Sequence, residues 1–117
     1  MTRKLLAEVS AVVAASPDRV LPLVHRNVTA MGHGTVAVTA DTVSLQGGWW
    51  YRGEWTVAEH PEGTLLVHRV YNVADSPYWT VALANKLFVG YAEQTRRAAA
   101  GTIAKLGGEL HCATRLI

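Results

Sequence analysis

The sequence predicts an α+β domain in which an antiparallel sheet meets one long helix late in the chain, with a short helix after the first strand. Three observations carry that prediction. Apolar and polar residues alternate from Lys4 to Ala14, two runs rich in aromatic and β-branched residues flank His60-Pro61-Glu62-Gly63, and an apolar stripe of helical period leads from Ser76-Pro77 to Leu106.

In the first strand the odd positions Leu5, Ala7, Val9, Ala11 and Val13 are apolar, while Lys4, Glu8 and Ser10 fall on the even ones. Period two marks a strand buried on one face. Ser16 can cap the next element, Pro17 suits the first helical position and Asp18 complements the positive helix end. Val20, Leu21, Leu23 and Val24 then supply the apolar stripe of a short helix that Pro22 restricts or kinks. Met31-Gly32-His33-Gly34 reads as a loop, and Thr35 to Ala40 and Thr42 to Gln46 as two short strands turning at Asp41.

Trp49 to Glu59 and Thr64 to Val73 form a hairpin whose register has two solutions. A three-residue loop sets His60 opposite Thr64, Trp55 opposite Arg69 and Tyr51 opposite Val73. Trp49, Tyr51, Trp55, Val57, Leu65, Val67, Tyr71 and Val73 then share a face with Arg69. A four-residue loop instead puts Leu66, His68, Val70 and Asn72 on that face. Both registers remain open at this stage, and either one admits only one of the neighbours His68 and Arg69 to the interior.

At 100° per residue, Leu87, Phe88, Tyr91, Thr95, Ala98 and Ile103 fall within one arc of roughly 160°, with Lys86, Glu93, Arg96 and Arg97 opposite. This predicts one helix of ~40 Å ended by Gly107-Gly108, in which Gly90 or Gly101 permits a bend. The tail His111 to Ile117 adds a short strand or stays loose.

The 117 residues suit a single domain spanning 1–117, and 50% hydrophobic against 17% charged residues excludes global disorder. Eleven basic and nine acidic residues, dispersed apart from Arg3-Lys4 and Arg96-Arg97, give little support to nucleic-acid binding. Cys112 is the sole cysteine, which excludes an intrachain disulfide and a cysteine zinc site. His25, His33, His60, His68 and His111 include no i,i+4 pair, so no metal is expected. Gly32-His33-Gly34 and Gly47-Gly48 lack the strand-loop-helix setting of a phosphate cradle. No apolar run approaches the ~18 to 20 residues of a membrane helix, and Glu8 and Ser10 interrupt the leader-like N-terminal stretch. A cytoplasmic protein with no membrane partner is expected.

The order of elements, together with Ala15-Ser16-Pro17-Asp18-Arg19-Val20, Glu62-Gly63-Thr64 and the helix from about Tyr78, resembles the Bet v 1-like, START-related (SRPBCC) superfamily, and especially its small bacterial polyketide cyclase-like members. The resemblance spans nearly the whole chain. It implies a helix-grip fold, with a curved antiparallel sheet wrapped around the terminal helix and a cavity for a hydrophobic or amphipathic molecule between them. This chain is shorter than the family pattern, with five clear strands where six or seven are usual. An uncovered sheet edge follows, which makes a homodimer plausible.

Within that frame the expected cavity wall is Trp49, Tyr51, Trp55 and Val67 from the hairpin, and Leu87, Phe88, Tyr91 and Thr95 from the helix. Large rings wall a cavity while phenol and indole groups orient a polar ligand atom, although core packing explains many such rings equally well. The candidate catalytic set is His68, Arg69 and Tyr71: Arg69 or Tyr71 would polarise an oxygen and His68 would move a proton, without a cofactor. Binding of a small hydrophobic or aromatic, polyketide-like molecule is the leading expectation. A cyclase, aromatase or dehydratase is the alternative, and a dimeric protein-interaction module a further one.

Overall fold

The computed structural model describes residues 3–48, 50–73 and 90–117. In chain order it contains β1 (Lys4–Val13), α1 (Pro17–Thr29), β2 (Thr35–Val38), β3 (Thr42–Gly47), β4 (Tyr51–His60), β5 (Gly63–Asn72), α2 (Tyr91–Leu110) and β6 (Thr114–Leu116). The strands form one antiparallel sheet in the order β2-β3-β4-β5-β1-β6. The α+β class holds, with six strands among the described residues, the sixth being the short tail strand that the sequence left open. Trp49, Leu87, Phe88 and the helix start at Ser76-Pro77 lie outside the described residues.

The alternation in β1 places Ala7, Val9, Ala11 and Val13 on the inner face. A bulge between Leu5 and Ala7 breaks the phase. Leu5 pairs with Tyr71 while Ala7 pairs with Val70, so Leu5 turns outward and stays exposed although its parity matches the buried set. In α1, Val20, Val24 and Val28 are buried at i, i+4 and i+8. These anchors carry the helix past Pro22 to Thr29 despite the missing amide. Ser16 stands in an extended conformation, and its carbonyl accepts the amides of Arg19 and Val20 while its side chain makes no capping bond.

The hairpin register is neither of the two foreseen. His60 pairs with Gly63 around a two-residue turn, which sets Trp55 opposite His68 and Glu54 opposite Arg69. Leu66, His68, Val70 and Asn72 therefore share the inner face with Trp55 and Val57, as the longer loop would have placed them. Contacts outside the hairpin fix this choice. Gly63 has φ +137°, and a Cβ there would stand 2.4 Å from the Val13 carbonyl oxygen and 2.8 Å from the Ala15 nitrogen. Next to it, the buried Thr64 hydroxyl donates to the Ala15 carbonyl at 2.6 Å. The start of β5 is thus seated on the corner between β1 and α1.

Helix α2 begins at Tyr91, and Gly90 before it is left-handed at φ +76°, so no single helix runs unbroken through residue 90. Its far end differs from expectation. The helix passes through Gly107 and Gly108 to Leu110, and His111 takes the left-handed angle at φ +53°. The carbonyls of Gly108 and Gly107 accept the closing amides of His111 and Cys112, which turns the tail back to pair with β1 as β6. Ala99, Ile103, Leu106 and Leu110 close from α2 onto Val9, Ala11 and Val13 of β1, while α1 covers β3 and β4. Among the described residues no helix is long and apolar enough to cross a membrane.

Candidate ligand cavity

Between the first half of α2 and the sheet lies a half-open cavity of about 270 Å³. Its floor is the inner face of the hairpin: Tyr51, Gly53 and Trp55 from β4, His68 and Val70 from β5, with Leu45 of β3 beside them. Tyr91, Thr95, Ala98 and Thr102 of α2 form the opposite wall, and Val28 and Met31 close the side after α1. Gly53 makes room for a ring here. A Cβ on it would stand 2.6 Å from the Tyr51 hydroxyl, so Tyr51 lies back across the strand. Trp50 meets Tyr51 edge-on at 5.6 Å and Tyr91 edge-on at 5.8 Å, which joins hairpin and helix by aromatic contacts.

Of the expected site residues, Tyr51, Trp55, His68, Tyr91 and Thr95 come together at this cavity. Val67, Arg69 and Tyr71 do not. The two-residue turn places them on the outer face of the sheet, which corrects the expectation that they face the interior. There Arg69 bonds to Glu8 at 2.6 Å, and Arg3 lies 4.1 Å over the Tyr71 ring while bonding to Glu54 at 2.8 Å. Arg52 also reaches Glu54 at 2.8 Å. Opposite charges stand directly across the strands at Glu8, Arg69 and Glu54. Because this face is solvated, Arg69→Ala is expected to cost under about 1 kcal/mol in a urea titration and to leave small-molecule affinity unchanged. Gly53, Met31 and Val28 were missed at the sequence level, although a glycine within a strand is a signal of close approach.

Burial governs the titration of the groups at the cavity. His68 stacks on Trp55 with ring centres 3.9 Å apart and 18° between planes, and its Nδ1 lies 3.0 Å from the Glu54 carbonyl oxygen. Burial disfavours the imidazolium and lowers the pKa to about 4, against a smaller opposing effect of the Glu54 hydrogen bond. The Tyr51 phenol is pushed up to about 12 by burial and by the neighbouring Tyr91. Burial also raises Tyr91, opposed by its hydrogen bond with Thr95. Both phenols therefore stay protonated at neutral pH.

The His68 shift has a stability consequence. Between its unfolded value near 6.5 and its folded value near 4, the unfolded chain binds the proton and the folded one does not. Stability from this group is complete above about pH 6.5, falls as pH drops toward 4, and changes no further below that. The total is roughly 3 kcal/mol at 1.36 kcal/mol per pKa unit. Urea unfolding of wild type and His68→Phe across this range is expected to show a steeper fall of stability toward low pH in the wild type than in the variant.

Among the described residues, no three His, Cys, Asp or Glu side chains gather to hold a metal ion. Fold and cavity together define a small α+β domain with a ring-lined pocket between its sheet and α2. No family model matches the chain, and no curated protein or solved structure matches it.

Proposed function

We propose that the chain binds a small hydrophobic or aromatic molecule in this cavity, as a helix-grip domain of the Bet v 1-like, START-related kind. The observation that carries the proposal is the cavity itself: about 270 Å³, walled by Tyr51, Trp55 and Tyr91 and containing one buried, uncharged imidazole. An apolar cavity of ~150 Å³ holds one benzene ring, so this one suits a ligand of about two rings.

A cofactor-independent cyclase or dehydratase is the second reading, favoured by the placement of His68 in the cavity wall. It draws nothing from Arg69 or Tyr71, which lie across the sheet. An imidazole whose pKa is near 4 is a weak base at neutral pH, which favours binding over turnover.

Native mass spectrometry of freshly purified protein, followed by denaturing extraction, tests the proposal and reports the assembly state with it. A retained apolar compound is the expected result. A clean apo protein that no one- or two-ring compound stabilises against heat would overturn the reading. Tyr91→Ala is expected to weaken binding of such a compound at least about tenfold, because it opens the helix-side wall while leaving the core of Ile103 and Leu106 in place. Calorimetric titration of the variant checks this, and unchanged affinity would remove Tyr91 from the wall.

A further inference from the structure

His68 is only 7% exposed and is held on two sides, by the Trp55 ring and by the Glu54 carbonyl. A carbonyl oxygen can only accept, so Nδ1 carries the imidazole proton and Nε2 carries a lone pair. Among the described residues no hydrogen bond reaches Nε2, and every sealed side-chain nitrogen or oxygen has a partner. Nε2 therefore opens on the cavity that His68 lines.

We infer that the cavity selects a neutral ligand whose hydroxyl, carried on a flat apolar ring as in a phenol, donates a hydrogen bond to Nε2 of His68. The inference rests on the binding reading above and specifies the ligand class. The stacked Trp55 and the Glu54 bond fix the ring plane, so the acceptor is already aimed before a ligand arrives. Among the described residues no lysine, arginine, aspartate or glutamate lines this cavity. Arg3, Arg52 and Arg69 are committed to ion pairs on the far face, and Lys105 lines an adjoining hollow with Asn27 and Met31. Against these residues a carboxylate would lose its water without gaining a counter-charge, whereas a hydroxyl exchanges water for Nε2. Burial of His68 keeps its lone pair free at neutral pH.

Three probes of similar shape test this: naphthol, methylnaphthalene and naphthoic acid, titrated at neutral pH by calorimetry and by ¹⁵N resonance of the His68 ring. Naphthol is expected to bind at least about tenfold tighter than methylnaphthalene and to move the Nε2 resonance, which methylnaphthalene leaves in place. His68→Phe keeps a ring against Trp55 and is expected to abolish that preference while retaining methylnaphthalene binding. If the variant does not fold, the wild-type Nε2 resonance decides. Equal affinity for naphthol and methylnaphthalene with an unmoved Nε2 signal would overturn the donor requirement and leave the cavity as a binding site. Naphthoate binding tighter than naphthol would overturn it in favour of a cation such as Lys105. Failure of all three probes would overturn the inference together with the binding reading.

Discussion

Leu66→Ala is expected to lower the unfolding free energy by about 2–5 kcal/mol, among the largest effects of any single substitution outside the cavity. Leu66 is fully buried in the middle of β5, opposite Ala11 of β1 on one side and Val57 of β4 on the other. Truncation removes the transfer free energy of the side chain and leaves a hole that flanking strands, pinned by their hydrogen bonds, close only in part. The neighbouring Leu65 faces outward, so Leu65→Ala should cost about 1 kcal/mol or less. Urea unfolding of the two variants checks both the magnitude and the face assignment. Comparable losses at both positions would mean that the inner and outer faces of β5 are wrongly distinguished.

Gly63→Ala is expected to cost about 2–4 kcal/mol and to lower the melting midpoint by roughly 10 °C or more. Two effects add. A side chain at φ +137° is strained in itself, and its Cβ would meet the backbone of Val13 and Ala15, which cannot swing aside as a side-chain tip can. Relief requires β5 to withdraw from the corner, which also strains the Thr64 bond to the Ala15 carbonyl. Thermal unfolding followed by circular dichroism reads the shift. A change of only a degree or two would show that the seat of β5 on that corner is loose.

The periodic parts of this fold were legible in the sequence because their burial is decided locally. Alternation in β1 and the spacing of Val20 and Val24 each reported a buried side, and Ala99, Ile103 and Leu106 did the same for α2. The face of β5 was not legible, because apolar residues occupy both parities, with Leu65 and Val67 on one and Leu66 and Val70 on the other. Long-range contacts settle it: the bulge at Leu5–Ala7 and the approach of Gly63 to Ala15. The site divided along the same line. Tyr51, Trp55, Tyr91 and Thr95 were foreseen from ring placement and helical phase, whereas His68 was visible only as one of an adjacent pair with Arg69. Met31 and Val28 join the wall through the packing of α1, which the hairpin and α2 alone do not reveal.

The position of β1 between β5 and β6 also dictates when the sheet can be completed. On the ribosome β1 is made before either of its pairing partners, residues 64–72 on one side and 114–116 on the other. The strands β2 to β5 can zip from neighbour to neighbour, while the long, largely apolar β1 waits with both edges bare. Closing such sequence-distant pairs belongs to the slower range of small-domain folding, milliseconds to seconds. The three residues of β1 that β6 covers, Ala11, Val12 and Val13, therefore keep a bare edge until the final strand has been made.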